Sequence, residues 1–333
     1  MKNSQPRHVL VYRLSALGDV AMTIPAVYSC ATAWPDVTFH VVTSAFCAQL
    51  FVNVPANIAV HPVEKGTGTL RLLKQLDKLQ IDAVADLHNV LRSWLVDAWF
   101  LIRGKRVCML SKFRDERHAI LKQGKRTKMP FVQRYFEVFA RLGLPCKHRF
   151  TSLFNIMPPL PIEREKGKER WIGIAPFARY ENKSYPLKQM QKVALQMANE
   201  QDCRVFLFGS CGAQAKTLQR WEMLSPQIHS LAGRFSLEDE LALIAHLDAM
   251  VSMDSANMHL ASLVGTRVVS VWGSTTPACG FLGWGQQESD AVCAHVSCQP
   301  CAIGGSRHCR QGALVCLRSI EPETIVKRTK NYI

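Results

Sequence analysis

The chain has 333 residues, 48% of them hydrophobic and 20% charged, with a formal net charge of +15. This length and composition favour two packed domains and argue against disorder, a collagen repeat or a coiled coil. The longest apolar stretches, residues 9–27 and 94–102, are interrupted by Arg13, Asp19 and Asp97. Neither reaches the roughly 20 clean residues of a transmembrane helix, and neither has the form of a secretory signal, so a soluble cytoplasmic chain is expected.

In chain order, a compact strand is expected at residues 9–13, then a helix at 20–33 that Pro25 bends or restarts. Residues 38–43 read as a second strand, and 83–87 and 106–109 as a third and fourth, with a helix-like stretch over 89–102. Residues 157–168 (MPPLPIEREKGK) are proline-rich and then charged, as a linker is. Beyond it, strands are expected at 171–175, 204–208, 249–253 and 267–272, and helices at 186–199, 236–248, 257–264 and 321–331. Ser236 followed by Asp239 has capping-box spacing, and Gly265 is placed to stop the helix before it. This alternation predicts parallel βαβ units in two domains, 1–156 and 169–333. Ligands in such sheets sit outside the carboxyl ends of the strands.

The charge is lopsided. Residues 1–165 hold 23 basic and 12 acidic side chains, residues 166–333 hold 18 and 14. The first half therefore carries a positive field suited to nucleic acid, an anionic membrane surface or a phosphorylated substrate. Residues 103–128 concentrate ten basic side chains against two acids; they fit a solvated surface as well as recognition of an anionic partner. A single-strand nucleic-acid reader would want stacking aromatics, and this segment offers only Phe113, so no nucleic-acid partner is expected.

Of the twelve cysteines, eight (Cys30, Cys47, Cys108, Cys146, Cys203, Cys211, Cys279, Cys293) are scattered and expected mostly as buried reduced thiols. Cys298, Cys301, Cys309 and Cys316 cluster with the density of a structural zinc site, though not as paired CxxC knuckles. Reduced thiols or an adventitious disulfide are the alternatives there.

Four loops carry candidate chemistry. Residues 13–20 (RLSALGDV) join the first strand to the first helix. They lack the GxGxxG dinucleotide fingerprint. Gly18 permits a tight turn, and Asp19 then falls at the N-cap, either as a simple cap or as a general base. Residues 253–260 (MDSANMHL) form another strand-to-helix turn, whose free N–H groups suit a phosphate. There Asp254 takes sugar hydroxyls or fixes the turn, and His259 is a packing residue or a ligand contact. Residues 272–277 (WGSTTP) place Gly273 beside Ser274, Thr275 and Thr276, where a ligand can approach the backbone or an ordinary loop can form. Lys183, just before a helix, is a solvated lysine or neutralises a departing phosphate.

Taken in order, these segments resemble glycosyltransferase family 9, the ADP-heptose:lipopolysaccharide heptosyltransferases. RLSALGDVAMTIPAV is similar to the family's RxSxxGDxxxxxPA opening, DLHNVLRS at 86–93 to its DLxxNxRS segment, and DSANMHLASLVGTRVVSVWGSTTP to its DSGxMHLAxAxGxPVVxLFGxTxP block. The resemblance spans roughly residues 7 to 325. It implies a GT-B fold, two Rossmann-like domains facing across a cleft. The amino-terminal domain would bind the acceptor through Arg13, Ser15, Gly18, Asn89, Arg92 and Ser93. The carboxyl-terminal domain would bind a nucleotide sugar through Lys183, Asp254, Ser255, Met258, His259 and the 273–276 loop. Asp19 would be the catalytic base of an inverting transfer of heptose from ADP-heptose to a Kdo–lipid A type acceptor, an anionic lipid-linked glycan. No DxD motif is present, so metal-independent transfer by a monomer with peripheral contact at the inner membrane surface is expected. The chain departs from the pattern at Ala256 (usually Gly), Asn257 (usually apolar) and Tyr185 (usually Trp), and it lacks a hydroxyl pair at 177–180, where Arg179 is placed to meet the anion instead. A different nucleotide sugar or surface-glycan acceptor, or a non-catalytic nucleotide- or lipid-binding relative, are the competing expectations.

Overall fold

The computed structural model describes residues 5–112, 114–163, 165–305, 308–309 and 311–333. Phe113 of the basic segment and Arg164 of the expected linker lie outside them. The chain forms two compact units, and neither is one continuous segment. Unit 1 comprises residues 1–113 and 129–151, and unit 2 comprises 114–128 and 152–333. Part of the basic segment thus belongs to unit 2, which begins again at residue 152, ahead of the proline-rich stretch.

Unit 1 runs β1 (His8–Tyr12), α1 (Leu17–Ala33), β2 (Thr38–Ser44), α2 (Ala45–Ala48), β3 (Ile58–Val63), α3 (Thr69–Asp77), β4 (Ala83–Asp86), α4 (Leu91–Ile102) and β5 (Arg106–Met109). The helix α5 (Arg114–Gln123) falls in unit 2, and α6 (Phe131–Arg141) returns to unit 1. The five strands are parallel, in the order β3-β2-β1-β4-β5. Helix α1 is apolar all round, and every residue from Val20 to Ala31 is buried, as expected of a helix sunk in a core. It is continuous through Pro25 and packs on α6. Cys30 and Cys146, expected as free thiols, form a disulfide between α1 and the segment after α6. His8, His40 and His61 make a diagonal row across β1, β2 and β3. His8 Nδ1 lies 3.1 Å from His40 Nε2, and His40 Nδ1 lies 3.0 Å from His61 Nε2.

Unit 2 continues with β6 (Arg170–Ala175), α7 (Leu187–Ala198), β7 (Cys203–Leu207), α8 (Ala213–Glu222), β8 (Ile228–Ser230), α9 (Leu237–Ala245), β9 (Ala249–Met253), α10 (Ala256–Leu263), β10 (Val268–Val271), β11 (Ala291–Val292), α11 (Val315–Arg318) and α12 (Pro322–Thr329). Its six parallel strands are ordered β11-β10-β9-β6-β7-β8, the order of a doubly wound Rossmann sheet. The central strands are buried along their whole length, which is why they read as continuous apolar runs and not as alternating ones. Ser236 caps α9 by accepting the Asp239 N–H at 3.1 Å, and Gly265, at φ +81°, ends the turn after α10. The 114–128 segment is fastened to this unit by Thr127 N–H donating to the Ala278 carbonyl at 2.9 Å and by an Arg126–Glu288 ion pair at 2.6 Å.

Candidate active site

In each sheet the strand order reverses at one point, and loops leaving the two strands there diverge to open a crevice. In unit 1 the strands are β1 and β4. The loop after β1 carries Asp19, which sits in the first turn of α1, three residues past the N-cap Ala16. The expected N-cap position is thus corrected by one turn. Gly18 likewise lies inside the helix, with no left-handed turn before it. The Asp19 carboxylate turns back toward the Ala16 N–H and pairs with Arg13 Nη2 at 3.0 Å, leaving its side chain 34% exposed. Arg13 is itself buried. Its Nε donates to the Ser15 carbonyl at 2.9 Å and its Nη1 to the Leu87 carbonyl at 2.6 Å. One guanidinium therefore ties the loops after β1 and β4 together and aims Asp19. Ser15 is exposed at the tip.

The loop after β4 is organised by Asp86, which is fully buried. Its Oδ1 accepts from the N–H groups of His88 and Asn89, both at 2.8 Å, and its Oδ2 accepts from the Ser93 hydroxyl at 2.6 Å. Asn89 takes a left-handed backbone (φ +49°), which asparagine tolerates better than most residues. Its side chain donates to the Leu110 carbonyl and accepts from Trp94 Nε1. Arg92 donates to the Thr67 carbonyl. Ser93 is wholly buried and Asn89 is engaged at both ends of its amide, so these two expected acceptor contacts hold the loop from beneath. Asp97, one turn along α4, faces Asp86. Burial, and then the Asp86 charge, push it up to about 8, so at neutral pH it keeps its proton and donates to Asp86. Burial, and then the Arg13 charge, hold His88 down to about 4, in the neutral form.

In unit 2 the corresponding strands are β6 and β9. Lys183 ends a single turn of 3-10 helix, Glu181–Lys183. Its Nζ lies 2.6 Å from Asp254 Oδ2, and that same oxygen accepts the Thr275 hydroxyl. Three loops, after β6, β9 and β10, therefore meet at one buried carboxylate. Asp254 is 4% exposed and Lys183 12%, so the solvated-lysine alternative is set aside. Ser255 is the N-cap of α10, while Met258 and His259 are buried at its third and fourth positions. Ala256 opens that helix without a positive φ, so its methyl group meets no backbone penalty.

The 273–276 loop is shaped from within. A Cβ on Gly273 would lie 2.3 Å from the Asn182 carbonyl oxygen, so the glycine admits protein backbone there. Ser274 N–H donates to that same carbonyl. Gln299, which sequence reasoning missed, donates through Nε2 to the carbonyls of Trp272, Gly273 and Thr275 at 3.2, 2.7 and 3.2 Å. The N–H groups of Cys301 and Ala302 reach the Ser274 carbonyl. Tyr185 is buried with its hydroxyl on the Ile320 carbonyl at 2.6 Å, and Arg179 is exposed, its guanidinium over the Tyr180 ring.

The clustered cysteines Cys298, Cys301, Cys309 and Cys316 share the wall of a cavity of about 350 Å³ with Ser274 and with Arg117 and Lys122 of α5. The Ser274 hydroxyl is buried without a protein partner. Among the described residues no group of three or more His, Cys, Asp or Glu side chains is arranged to hold a metal ion. What the segment visibly does is buttress the 273–276 loop.

A sequence model of glycosyltransferase family 9 (heptosyltransferase) matches residues 69–309. The chain is 22% identical over 335 residues to lipooligosaccharide heptosyltransferase 2 of Campylobacter jejuni, covering 98% of each. It is 25% identical over 291 residues to the lipopolysaccharide core heptosyltransferase OpsX of Haemophilus influenzae, covering 82% of this chain and 80% of that one. The structure of E. coli heptosyltransferase WaaC with ADP-2-deoxy-2-fluoro heptose matches with a TM-score of 0.67 at 17% identity, over 97% of this chain and 99% of that one. At that identity the likeness speaks for the fold, two parallel-sheet α/β units of the GT-B class. With the family match covering most of its length, this chain belongs to glycosyltransferase family 9, the heptosyltransferases, and is a glycosyltransferase.

Proposed function

We propose that the protein transfers heptose, with inversion, from ADP-heptose to an anionic lipid-linked glycan of the lipopolysaccharide inner core, of the Kdo–lipid A type. The observation that carries this reading is the chemistry at the two strand-order reversals: a partly exposed, Arg13-aimed carboxylate in unit 1, and a lysine–carboxylate–threonine junction in unit 2. In the single displacement, an acceptor hydroxyl attacks the anomeric carbon and gives its proton to Asp19. The bond from that carbon to the diphosphate breaks, and ADP leaves with the electron pair. A nucleoside diphosphate departs without protonation, so the second carboxyl group of a glycosidase is not needed. Lys183 meets the growing charge. An ammonium has three donors, and Asp254 uses one. The N–H groups at the start of α10 and in the 273–276 loop, apart from that of Ser274, which is held by the Asn182 carbonyl, supply further donors. The relative solved with ADP-2-deoxy-2-fluoro heptose supports the choice of donor.

A second reading keeps the enzyme and changes the donor, because Arg179 stands exposed where the resemblance has hydroxyls. A donor panel with Kdo–lipid A as acceptor separates the two. Acceptor-dependent ADP release from ADP-heptose, and none from UDP-glucose or GDP-mannose, supports heptose transfer. Turnover confined to another nucleotide sugar overturns it. We further propose that the enzyme acts as a monomer bound peripherally at the cytoplasmic membrane face; no helix among the described residues is long and apolar enough to cross a membrane.

A further inference from the structure

Helix α4 is inverted relative to an ordinary surface helix. Its buried side holds Ser93, Val96, Asp97 and Phe100, two of them polar and engaged with Asp86. Its solvent side is entirely apolar: Leu91, Trp94, Leu95, Ala98, Leu101 and Ile102. Ile102 is 85% exposed, Leu91 72% and Leu95 52%. Soluble proteins seldom leave a contiguous stripe of this kind facing water without a partner for it.

The surroundings say what covers it. Helix α3 packs beside α4 and presents Arg71 and Lys74 to solvent, with Lys78 just after it and Leu70, 74% exposed, at its start. Past the other end of α4 come Arg103, Lys105 and Arg106. From α3 through β5, residues 69–109, there are seven basic side chains and four acidic ones. Two of those acids, Asp86 and Asp97, are buried; the other two, Asp77 and Asp82, pair with Arg103 at 3.4 Å and Lys105 at 3.8 Å, which leaves Arg71, Lys74 and Lys78 as the exposed cations of the rim. A second copy docking through this face by a two-fold axis would set the same cationic rim against itself. An anionic bilayer sets phosphates against it. An apolar helix face with tryptophan and leucine, bordered by lysine and arginine, is the composition of a helix lying in a membrane interface.

We propose that the outer face of α4, with the flanking cations Arg71, Lys74 and Lys78, is a docking surface for anionic phospholipid. Leu91, Trp94, Leu95, Leu101 and Ile102 enter the headgroup–acyl boundary, and the cations meet lipid phosphates. At twelve residues the helix lies on the bilayer and does not cross it. The loop at its amino terminus is the one organised by Asp86, so docking would bring that loop to the lipid surface. The inference deepens the proposed reading and rests on its lipid-linked acceptor only for its purpose.

The test is co-sedimentation of the full chain with vesicles of phosphatidylcholine containing a quarter phosphatidylglycerol, free of acceptor, beside vesicles of phosphatidylcholine alone. Expected are binding to the anionic vesicles that weakens as salt rises, and a loss of at least about tenfold in L95Q/I102Q. R71Q/K74Q/K78Q is expected to lose binding mainly at low salt. Both variants change exposed side chains away from the reacting groups, and turnover with a deacylated, water-soluble acceptor should stay at the wild-type level. Equal vesicle binding by L95Q/I102Q overturns the proposal. So does a wild-type dimer, converted to monomer by L95Q/I102Q, with no vesicle binding. Vesicle binding without turnover on any lipid-linked acceptor leaves the docking surface standing and refutes the acceptor reading. Turnover on such an acceptor without vesicle binding does the reverse.

Discussion

Asp19 has two companions that set its task. Arg13 pairs with it and aims it, and the Ala16 N–H closes one oxygen. Asp19→Asn is nearly isosteric, so it should bind ADP-heptose like wild type and lose roughly 100- to 10,000-fold in turnover, read by calorimetry and steady-state kinetics. Asp254 is the matching fixed point of unit 2. Lys183→Ala leaves a buried carboxylate with only Thr275, and unfolding in urea should show a loss of about 3 kcal/mol; unchanged stability would mean that the pair is open to solvent. Gly273→Ala drives a methyl group into the Asn182 carbonyl and should destabilise by about 1–3 kcal/mol while weakening donor binding. The segments that carry Asp19 and Lys183 were legible in the sequence because each joins a strand to a helix. Gln299 and the Asn182 carbonyl were not, since their partners lie far along the chain. The small residues at 273–276 fitted ligand approach and backbone approach equally well, and only the fold decides between them.

At the scale of elements, the motif-bearing strands were legible because they are buried on both sides. β3 was missed because Pro62 breaks its pattern, yet β3 is an edge strand, where a missing N–H is tolerated. The inward-facing polar residues of α4 hid its amphipathic character for the same reason that they matter: they belong to the Asp86 network. Asp97, raised to about 8, binds a proton on folding that the unfolded chain releases near its ordinary value of about 4. Stability therefore falls as pH rises from about 4 to about 8. In D97N, which still donates to Asp86, the melting temperature should fall less between pH 6 and pH 8 than in wild type; parallel curves would contradict the shared proton. The histidine row has the opposite sign. Burial, and then His61 and His8, hold His40 down to about 4. The unfolded chain takes up a proton there below its ordinary value, so stability is lost as pH falls from about 6.5 to about 4. H40Q should flatten the acid limb of a melting-temperature profile.

For the whole molecule, two doubly wound units were foreseeable from strand–helix alternation alone, but the path of the chain between them was not. Residues 114–128 read as part of the first half by position and charge. They pack with the second through Thr127 and Arg126, whose partners lie about 150 residues away in sequence, and no local pattern reports such contacts. The excess of positive charge has more than one address. Arg71, Lys74 and Lys78 border the apolar face of α4, while Arg117 and Lys122 line the cavity beside the 273–276 loop. The central claim is acceptor-dependent transfer with Asp19 as the base. Its most direct measurement is ADP release from ADP-heptose, with and without Kdo–lipid A, by wild type and by Asp19→Asn. Release is expected only with acceptor, reduced at least about 100-fold in the variant. Equal release by the two proteins would contradict it.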